Sequence, residues 1–221
     1  MTSNKCANCL DLTAIPDSNI AMLMYFAPVI LGYLFGSVAS AIMVCRLMGL
    51  KDPRTEGSRN PGTTNVLRLH GKQAAALTLL GDVLKGVLPV LIARAIGVHD
   101  FLVAATGLAA FLGHLYPVYF GFRGGKGVAT FVGVLFASFW LLGLAFVGTW
   151  LIMAAVFRYS SLSAIIAAAM TPFYSWILIS SPAYLVCFTS MSVLLIWRHR
   201  SNIRNLMAGT EDKIGTDKNT P

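Results

Sequence analysis

Six apolar stretches, joined by short polar segments, dominate this sequence and leave few folds open to it. Three of them, residues 20–48, 73–97 and 101–121, are each long enough to cross a hydrocarbon core of about 30 Å as a helix that rises about 1.5 Å per residue. With 56% hydrophobic and 12% charged residues among 221, the chain is too apolar for a water-soluble domain. We therefore expect an all-α polytopic membrane protein.

The fourth stretch, residues 128–157, admits two interpretations. Its 30 nearly continuous apolar residues are too many for one upright crossing and few for two. Two further stretches follow, at 159–179 and 182–197. A basic run closes the last of them, at Arg198, His199, Arg200 and Arg204. Because basic segments stay on the cytoplasmic side, this run lies inside only if residues 128–157 cross twice. We expect two short helices broken near Gly143, and about seven transmembrane helices in all.

The distribution of positive charge sets the expected orientation. Most of the Lys and Arg residues lie in three short segments, at 49–72, 122–127 and 198–204, between or after the apolar stretches. This is the positive-inside pattern of a membrane protein and not the dense basic stripe of a nucleic-acid-binding face. With these segments inside, the amino terminus is external and the carboxyl terminus is cytoplasmic.

Two polar tails flank the expected membrane domain, which covers residues 20–211. Residues 1–19 are expected to form a flexible tail that is not a cleavable signal peptide. Cys6 and Cys9 lie in it without the further ligands that a zinc site needs, so no metal is expected there. Residues 212–221 are polar and expected to be disordered.

Three segments rich in reactive side chains face the same side in this topology, as an active site requires. We call them the first, second and third polar segments: GSRNPGTTNVLR at 57–68, HLYPVYFGFRGGKGVAT at 114–130, and RHRSNIRNLMAGTE at 198–211. Within the second lies a glycine loop, residues 122–127. Its glycines would let backbone N–H groups approach an anion, while Arg123 and Lys126 supply positive charge. Basic glycine-rich connectors also occur simply to hold a helix end inside, and the loop alone does not decide between the two.

The first polar segment adds a second candidate anion site. Small hydroxyl and amide side chains surround a Pro-Gly pair, at Ser58, Asn60, Thr63, Thr64 and Asn65. Tight-turn chemistry accounts for Pro61 and Gly62 but not for Arg68. One anion site around Lys126 and another involving Arg68 would suit two substrates that both carry phosphate.

The chain resembles the bacterial acyl-phosphate:glycerol-3-phosphate acyltransferase family over residues 22–211. Three family motifs carry the resemblance. The first, G-S-G-N-x-G-A-T-N-x-x-R, is matched at Gly57, Ser58, Asn60, Gly62, Thr64, Asn65 and Arg68. The second, G-H-x-x-P-x-F-x-x-F-K-G-G-K-G-V-A-T, is matched at Gly113, His114, Pro117, Phe122, Gly124, Gly125, Lys126, Gly127, Val128, Ala129 and Thr130. The third, H-R-x-N-I-x-R-L-x-x-G-x-E, is matched at His199, Arg200, Asn202, Ile203, Leu206, Gly209 and Glu211.

The chain departs from these motifs at a few positions: Arg59 for Gly, Thr63 for Ala, Tyr119 for Phe, Arg123 for Lys and Asn205 for Arg. Arg59 matters most, because a bulky cation replaces a glycine beside the expected site. It keeps the positive field there, and we expect activity to survive.

The resemblance implies a bacterial inner-membrane enzyme of phospholipid synthesis. It would transfer a fatty acyl group from acyl phosphate to the sn-1 hydroxyl of glycerol 3-phosphate and release inorganic phosphate. The catalytic residues that it implies are His199, Lys126 and Ser58. Substrate and phosphate would be bound by Asn60, Thr64, Asn65, Arg68, Arg123, Gly124, Gly125, Gly127, Asn202 and Glu211. No cofactor and no metal are implied, and the partners are the two substrates and membrane lipids.

The proton acceptor in this reaction stays open at the level of sequence. His199 has an ordinary pKa near neutrality, but the two arginines beside it disfavour its protonation and weaken it as a base. A substrate phosphate oxygen is the alternative acceptor. We therefore expect His199 mainly to orient the hydroxyl, and His114 to be a structural hydrogen-bonding residue.

Ionisable groups inside a span suggest function by default, and Asp82 and Lys85 fall inside one. Their i,i+3 spacing allows an ion pair, which we expect to support the first polar segment; direct substrate contact is the alternative.

A transporter of a phosphorylated or carboxylate anion is the alternative function, but its expected internal repeat is not found. The chain also lacks a His-x4-Asp motif, a Gly-x-Ser-x-Gly elbow and a nucleotide-binding P-loop, so ATP and serine-nucleophile chemistry are not expected.

Overall fold

The structure, a computed structural model, describes residues 19–215 of the chain. The predicted amino-terminal tail, with Cys6 and Cys9, lies outside the described residues apart from Asn19. Most of the predicted carboxyl-terminal tail lies outside them as well, and only residues 212–215 of it are described.

The described residues are all α-helical apart from turns and one short 3₁₀ helix at Val118–Phe120, which confirms the predicted fold class. Nine α-helices follow one another between residues 19 and 215: α1 Asn19–Gly36, α2 Ser40–Leu47, α3 Thr63–Ala95, α4 Asp100–Leu115, α5 Val128–Ser138, α6 Trp140–Phe157, α7 Ser160–Leu178, α8 Pro182–Arg198 and α9 Arg200–Met207.

Several of these helices are long and apolar enough to cross a membrane. Four segments qualify singly: α3, α4 extended to Phe120, α6 and α7. A fifth is formed by α1 and α2 together, which are bent by 45° where they meet. Helices α5 and α8 are apolar but shorter. The chain is thus an integral membrane protein, while the number of seven crossings stays a prediction.

The stretch at 128–157 leaves the end of the bundle where the polar segments lie and returns to it. At the far end, Arg94 at the end of α3 donates hydrogen bonds of 2.8 Å to the carbonyl oxygens of Ala137 and Ser138 at the end of α5. At the near end, the hydroxyl of Ser160 at the start of α7 lies 3.5 Å from that of Thr64. Helices α5 and α6 therefore run in opposite directions across the protein.

The break between these two helices is at Phe139 and not near Gly143, which corrects the expected position. Phe139 has an extended backbone, with φ −148° and ψ 106°. Gly143 lies inside α6, where a Cβ would overlap the ring of Phe136. This glycine therefore serves the packing of α5 against α6.

Other boundaries also differ from those expected. The stretch at 20–48 is not one helix but breaks at residues 37–39, between α1 and α2. Helix α3 begins at Thr63, ten residues before the predicted 73, and bends at Gly71, whose φ is 83°. Its first turns therefore include the end of the first polar segment, and α9 occupies much of the third. The predicted loops are partly helical because polar helical turns carry no hydropathy signal.

Helix α4 lies at the centre and packs against α1, α3, α5 and α8. Its crossing with α1 is so close that a Cβ on Gly36 would overlap the backbone of Ala110, so only glycine fits there. On its other side, Phe111 of α4, Phe131 of α5 and Phe188 of α8 form a buried aromatic cluster with ring centroids 5.8 and 6.4 Å from that of Phe131. This core fixes the ends of α4, α5 and α8, where two of the polar segments begin.

A buried polar network links three elements below the polar segments. Lys85 Nζ lies 2.8 Å from Asp82 Oδ1 within α3, and it donates a 2.8 Å hydrogen bond to the carbonyl oxygen of Val38. Val38 lies in the break between α1 and α2, where the carbonyl has no helical partner. His114 Nδ1 of α4 lies 3.6 Å from the same carboxylate oxygen. The predicted ion pair therefore forms, but it supports the α1–α2 break and α4, not the first polar segment as expected.

Candidate active site

The fold brings the three polar segments together at one end of the helix bundle. The second and third are joined by a hydrogen bond from Lys126 Nζ to Asn202 Oδ1. The first is joined to the residue that directly follows the third by Arg68, whose Nη1 lies 3.1 Å from Asp212 Oδ2. The first and second also touch, since the carbonyl oxygen of Pro61 would lie 3.3 Å from a Cβ on Gly125. The predicted convergence on one face is thus present.

The glycine loop lies flat against the end of α4. A Cβ on Gly124 would overlap the carbonyl oxygen of His114, and one on Gly125 would overlap the His114 ring. Gly127 has φ 89°, and a Cβ there would overlap the ring of Phe111. The glycines are therefore needed on the side that faces the protein, where sequence reasoning considered only close approach to an anion.

Arg198 holds the same loop from the third polar segment. Its Nη2 donates to the carbonyl oxygens of Gly124 and Gly125, at 2.9 and 3.0 Å, and its Nε donates to that of Gly125 at 3.2 Å. Arg198 also lies 5.7 Å from the ring centroid of Tyr116. Sequence reasoning treated this residue only as a charge beside His199. By contrast, Arg123 is exposed and makes no side-chain hydrogen bond to the part of the chain that the structure describes.

Lys126 begins a chain of polar contacts across the site. Its hydrogen-bond partner Asn202 donates through Nδ2 to Glu211 Oε1 at 2.7 Å, and the Ser161 hydroxyl donates to the same carboxylate oxygen at 2.5 Å. Burial lowers the pKa of the Lys126 ammonium, and the nearby cations Arg198 and Arg68 lower it further, while Glu211 acts in the opposite direction. An arriving phosphate would act as Glu211 does and favour the charged ammonium.

His199 is buried at the junction of α8 and α9, with 3% of its surface exposed. Its Nδ1 lies 2.8 Å from the carbonyl oxygen of Leu195. Since a carbonyl only accepts, Nδ1 carries the proton and Nε2 is the free acceptor. Burial, followed by the charge of Lys126, lowers the pKa of His199 to about 4 despite its bond to Leu195. The imidazole is therefore neutral at pH 7.

The first polar segment is organised by Asn65. The side chain is buried; its Oδ1 accepts from the Ser58 N–H at 3.0 Å and its Nδ2 donates to the Pro53 carbonyl at 2.8 Å. Ser58 and Thr64 are exposed, and the Asn60 side chain is half-buried against Gly62. Asn65 thus shapes the segment, while Ser58, Asn60 and Thr64 line its surface. Their binding roles stay predictions.

The turn between α6 and α7 and the residues after Glu211 complete the site, and sequence reasoning missed both. Two hydrogen bonds join Arg158 and Ile214. The Ile214 N–H donates to the Arg158 carbonyl oxygen at 2.6 Å, and Arg158 Nη2 donates to the Ile214 carbonyl oxygen at 3.0 Å. Lys213 lies over the ring of Tyr159, 5.7 Å from its centroid. The one available signal was the cluster of serines at 160, 161 and 163, which is unusual at the start of an apolar stretch.

Comparison with known proteins gives consistent results. Residues 26–209 match the family described as Glycerol-3-phosphate acyltransferase. A protein of that name from Thioalkalivibrio sulfidiphilus is 56% identical over 194 residues, which cover 88% of this chain and 96% of the relative. Another, from Methylococcus capsulatus, is 54% identical over 186 residues, which cover 84% and 94%.

Solved structures agree with these relatives. The crystal structure of PlsY, an integral membrane glycerol 3-phosphate acyltransferase, in its glycerol 3-phosphate form has a TM-score of 0.83 to this chain. The two are 39% identical, and the match covers 87% of this chain and 96% of PlsY. The lysophosphatidic acid form of PlsY has a TM-score of 0.81.

Proposed function

Because the chain belongs to the glycerol-3-phosphate acyltransferase family, we propose that it makes lysophosphatidate from acyl phosphate and glycerol 3-phosphate. The chain is an acyltransferase, and glycerol 3-phosphate is the acceptor. The donor and the residue roles are our proposal. The observation that carries it is the joint position of Lys126 and Arg68, one from each of two polar segments, beside a loop of small residues.

Two cationic groups suit two phosphate-bearing substrates. Lys126 and the loop of Gly124, Gly125 and Gly127 form a cradle for the phosphate that is released from the acyl donor. Arg68 lies at the opposite rim and binds the phosphate of glycerol 3-phosphate, in place of Asp212. Arg123 is exposed and adds positive charge at the entrance.

The chemistry requires little from the protein beyond orientation and charge. Acyl phosphate is a mixed anhydride, so the sn-1 hydroxyl of the acceptor attacks its carbonyl carbon directly. The new ester C–O bond forms, the acyl C–O bond to phosphate breaks, and the hydroxyl proton passes to an oxygen of the departing phosphate. Lys126 stabilises the charge that grows on this phosphate, and the site holds the two reactants together.

His199 orients the acceptor in this scheme and does not remove its proton. A pKa of about 4 makes the ring a weak base, while its free Nε2 accepts a hydrogen bond from a substrate hydroxyl. Ser58 donates from the surface of the first polar segment, and Asn202 and Glu211 hold Lys126 in position and face the glycerol hydroxyls. If the His199→Ala variant kept normal turnover and normal acceptor binding, neither role for His199 would stand.

A bacterial inner membrane is the proposed location, with the amino terminus outside and the site inside. The turn between α3 and α4 would then face outward and α9 inward. In a background in which Cys6 and Cys9 are replaced by serine, a membrane-impermeant thiol reagent should label a His99→Cys protein in intact cells, and a Ser201→Cys protein only after the cells are opened. Labelling in the reverse order would refute this orientation.

The function is tested with purified protein in detergent, supplied with acyl phosphate and glycerol 3-phosphate. We expect equal amounts of inorganic phosphate and lysophosphatidate. The Lys126→Met variant should lose at least about 100-fold in rate, because it removes a preorganised charge from the leaving group. The matched control is Lys72→Met, which removes an exposed cation of α3 outside the site. Full activity with an acyl thioester and none with acyl phosphate would overturn the proposed donor.

A further inference from the structure

Arg198 binds the glycine loop through the loop's carbonyl oxygens and not through its N–H groups. Three hydrogen bonds of 2.9 to 3.2 Å join one guanidinium to the carbonyls of Gly124 and Gly125. We propose that Arg198 is a positioning residue that turns the loop's carbonyls away from the bound phosphate. This inference rests on the proposed function, in which the loop holds a phosphate.

Because a peptide bond is planar, fixing a carbonyl also fixes the direction of the N–H that follows it. The bond between Gly125 and Lys126 is trans, so the Gly125 carbonyl and the Lys126 N–H point in opposite directions. With the carbonyl fixed on Arg198, the Lys126 N–H points to the other side of the loop. The N–H of Gly125 is already used, because it donates to the His114 carbonyl at 3.2 Å. That of Lys126 donates to no group in residues 19–215 and is available to an anion.

The Gly124 carbonyl shares a peptide plane with the Gly125 N–H, which His114 also holds, whereas Arg198 is the described hydrogen-bond partner that fixes the Gly125 carbonyl. A loop with three glycines among six residues rotates its peptide planes easily. A carbonyl that turned toward the phosphate would present a partial negative charge to an anion and would withdraw the adjacent N–H donor. Arg198 therefore acts on phosphate binding through the orientation of the backbone.

The shape of the side chain matters as much as its charge. Two nitrogens of one planar guanidinium reach two consecutive carbonyls, and the Tyr116 ring lies 5.7 Å from the guanidinium carbon. A lysine ammonium is a point charge on a flexible chain and cannot reproduce this planar arrangement. A charge effect alone would be preserved by lysine, so Arg198→Lys separates the two explanations.

The experiment measures steady-state kinetics of Arg198→Met and Arg198→Lys in detergent, with both substrates varied and with inhibition by inorganic phosphate. Losing charge-assisted hydrogen bonds of about 1.5 to 3 kcal/mol corresponds to a rise of roughly 10-fold to 100-fold in KM. We expect this rise in Arg198→Met and an equal rise in the inhibition constant of phosphate. Arg198→Lys should recover only part of it. A rise confined to acyl phosphate assigns the loop to the donor, and one confined to glycerol 3-phosphate assigns it to the acceptor.

A matched control and a rescue make the test specific. Arg204→Met removes an exposed cation of α9 that does not touch the loop, and its KM values should equal those of the wild type. In Arg198→Ala, added guanidinium ion at millimolar concentration should restore phosphate affinity, whereas ammonium at the same ionic strength should not. A purely structural role predicts a lower melting temperature without this selective rescue.

Several results would overturn the inference. These are an unchanged KM and phosphate inhibition in Arg198→Met, or wild-type values in Arg198→Lys. If Arg198→Met does not fold, the KM values and phosphate inhibition of Arg198→Lys, which keeps the charge, test the inference instead. A wild-type protein that made no lysophosphatidate would instead refute the proposed function; calorimetric binding of inorganic phosphate to wild type and Arg198→Lys would then still test the inference.

Discussion

Arg59 has a backbone conformation that residues other than glycine rarely adopt. Its φ is 56°, in the left-handed region, and the first family motif has glycine at this position. For a residue with a Cβ this conformation costs about 1 to 2 kcal/mol, and the larger unfolded-state entropy of glycine offsets up to about 1 kcal/mol of that. We predict that Arg59→Gly keeps full activity and has an equal or slightly higher melting temperature. A marked loss of activity would show that the guanidinium contributes to the site.

His199 should make stability depend on pH. Because the folded pKa is about 4 and the ordinary value is 6.5, the unfolded chain binds a proton between these pH values that the folded chain does not. Stability from this group is therefore complete above pH 6.5 and falls as the pH drops toward 4. We predict a larger fall in melting temperature between pH 7 and pH 5 for the wild type than for His199→Gln. Equal falls would contradict the neutral buried ring.

The backbone path of the glycine loop is constrained by the end of α4. A methyl group on Gly124 would meet the backbone of α4, which cannot rotate away. We predict that Gly124→Ala displaces the loop and raises KM for a phosphate substrate by at least about tenfold, the equivalent of one lost charge-assisted bond. Gly148→Ala is the control, since a Cβ there meets nothing within 4 Å. Steady-state kinetics of both variants measure the KM values, and equal KM values in Gly124→Ala and Gly148→Ala would contradict the prediction.

In the segment after α9, the Asp212 carboxylate forms an ion pair with Arg68. Both side chains of the Arg68–Asp212 pair are about one-third exposed, at 38% and 33%, so the pair is weak and a substrate phosphate can replace Asp212. We predict that Asp212→Asn lowers KM for glycerol 3-phosphate by about twofold to fivefold at low salt, and less at high salt. The control is Asp100→Asn, at the start of α4 and away from the polar segments, which should leave the KM for glycerol 3-phosphate unchanged. A higher KM in Asp212→Asn would mean that Asp212 assists binding.

For the whole molecule, the buried Asp82–Lys85 pair matters because it joins α3 to the break between α1 and α2 and lies beside His114 of α4. Lys85→Met would leave an unpaired carboxylate inside the span and should cost about 3 to 5 kcal/mol. We predict that the double variant Asp82→Leu/Lys85→Met recovers most of this stability and still transfers acyl groups. Melting temperature and activity in detergent measure both. A stable but inactive double variant would favour direct substrate contact.

Hydropathy located the uninterrupted helices well but could not locate the breaks. The stretches at 159–179 and 182–197 correspond to Ser160–Leu178 and Pro182–Arg198. The breaks at residues 37–39 and at Phe139 carry only a weak polar signal, since a single serine, Ser37 or Ser138, stands beside the apolar Val38 or Phe139. Their positions depend on partners elsewhere, such as Lys85 for Val38 and Arg94 for the end of α5.

In the candidate site, too, the sequence predicted some features and left others without a signal. The motifs predicted that Lys126 and Asn202 would belong to the same polar site, but not that their side chains would touch. They gave no signal for the contacts of Arg198, Ser161 and Asp212, because these depend on which helix ends become neighbours once α6 to α8 have packed.

The pair of Arg68 and Asp212 joins residues that are 144 positions apart in the chain. During synthesis, Arg68 and Lys126 emerge long before Asn202 and Asp212 have been translated. With the proposed roles, a nascent chain that already displays its first two motifs still lacks the Arg198 that holds the glycine loop and the Asn202 that holds Lys126. We therefore expect acyl transfer to begin only after α8 and α9 have been made, and a chain that stops before them to be inactive.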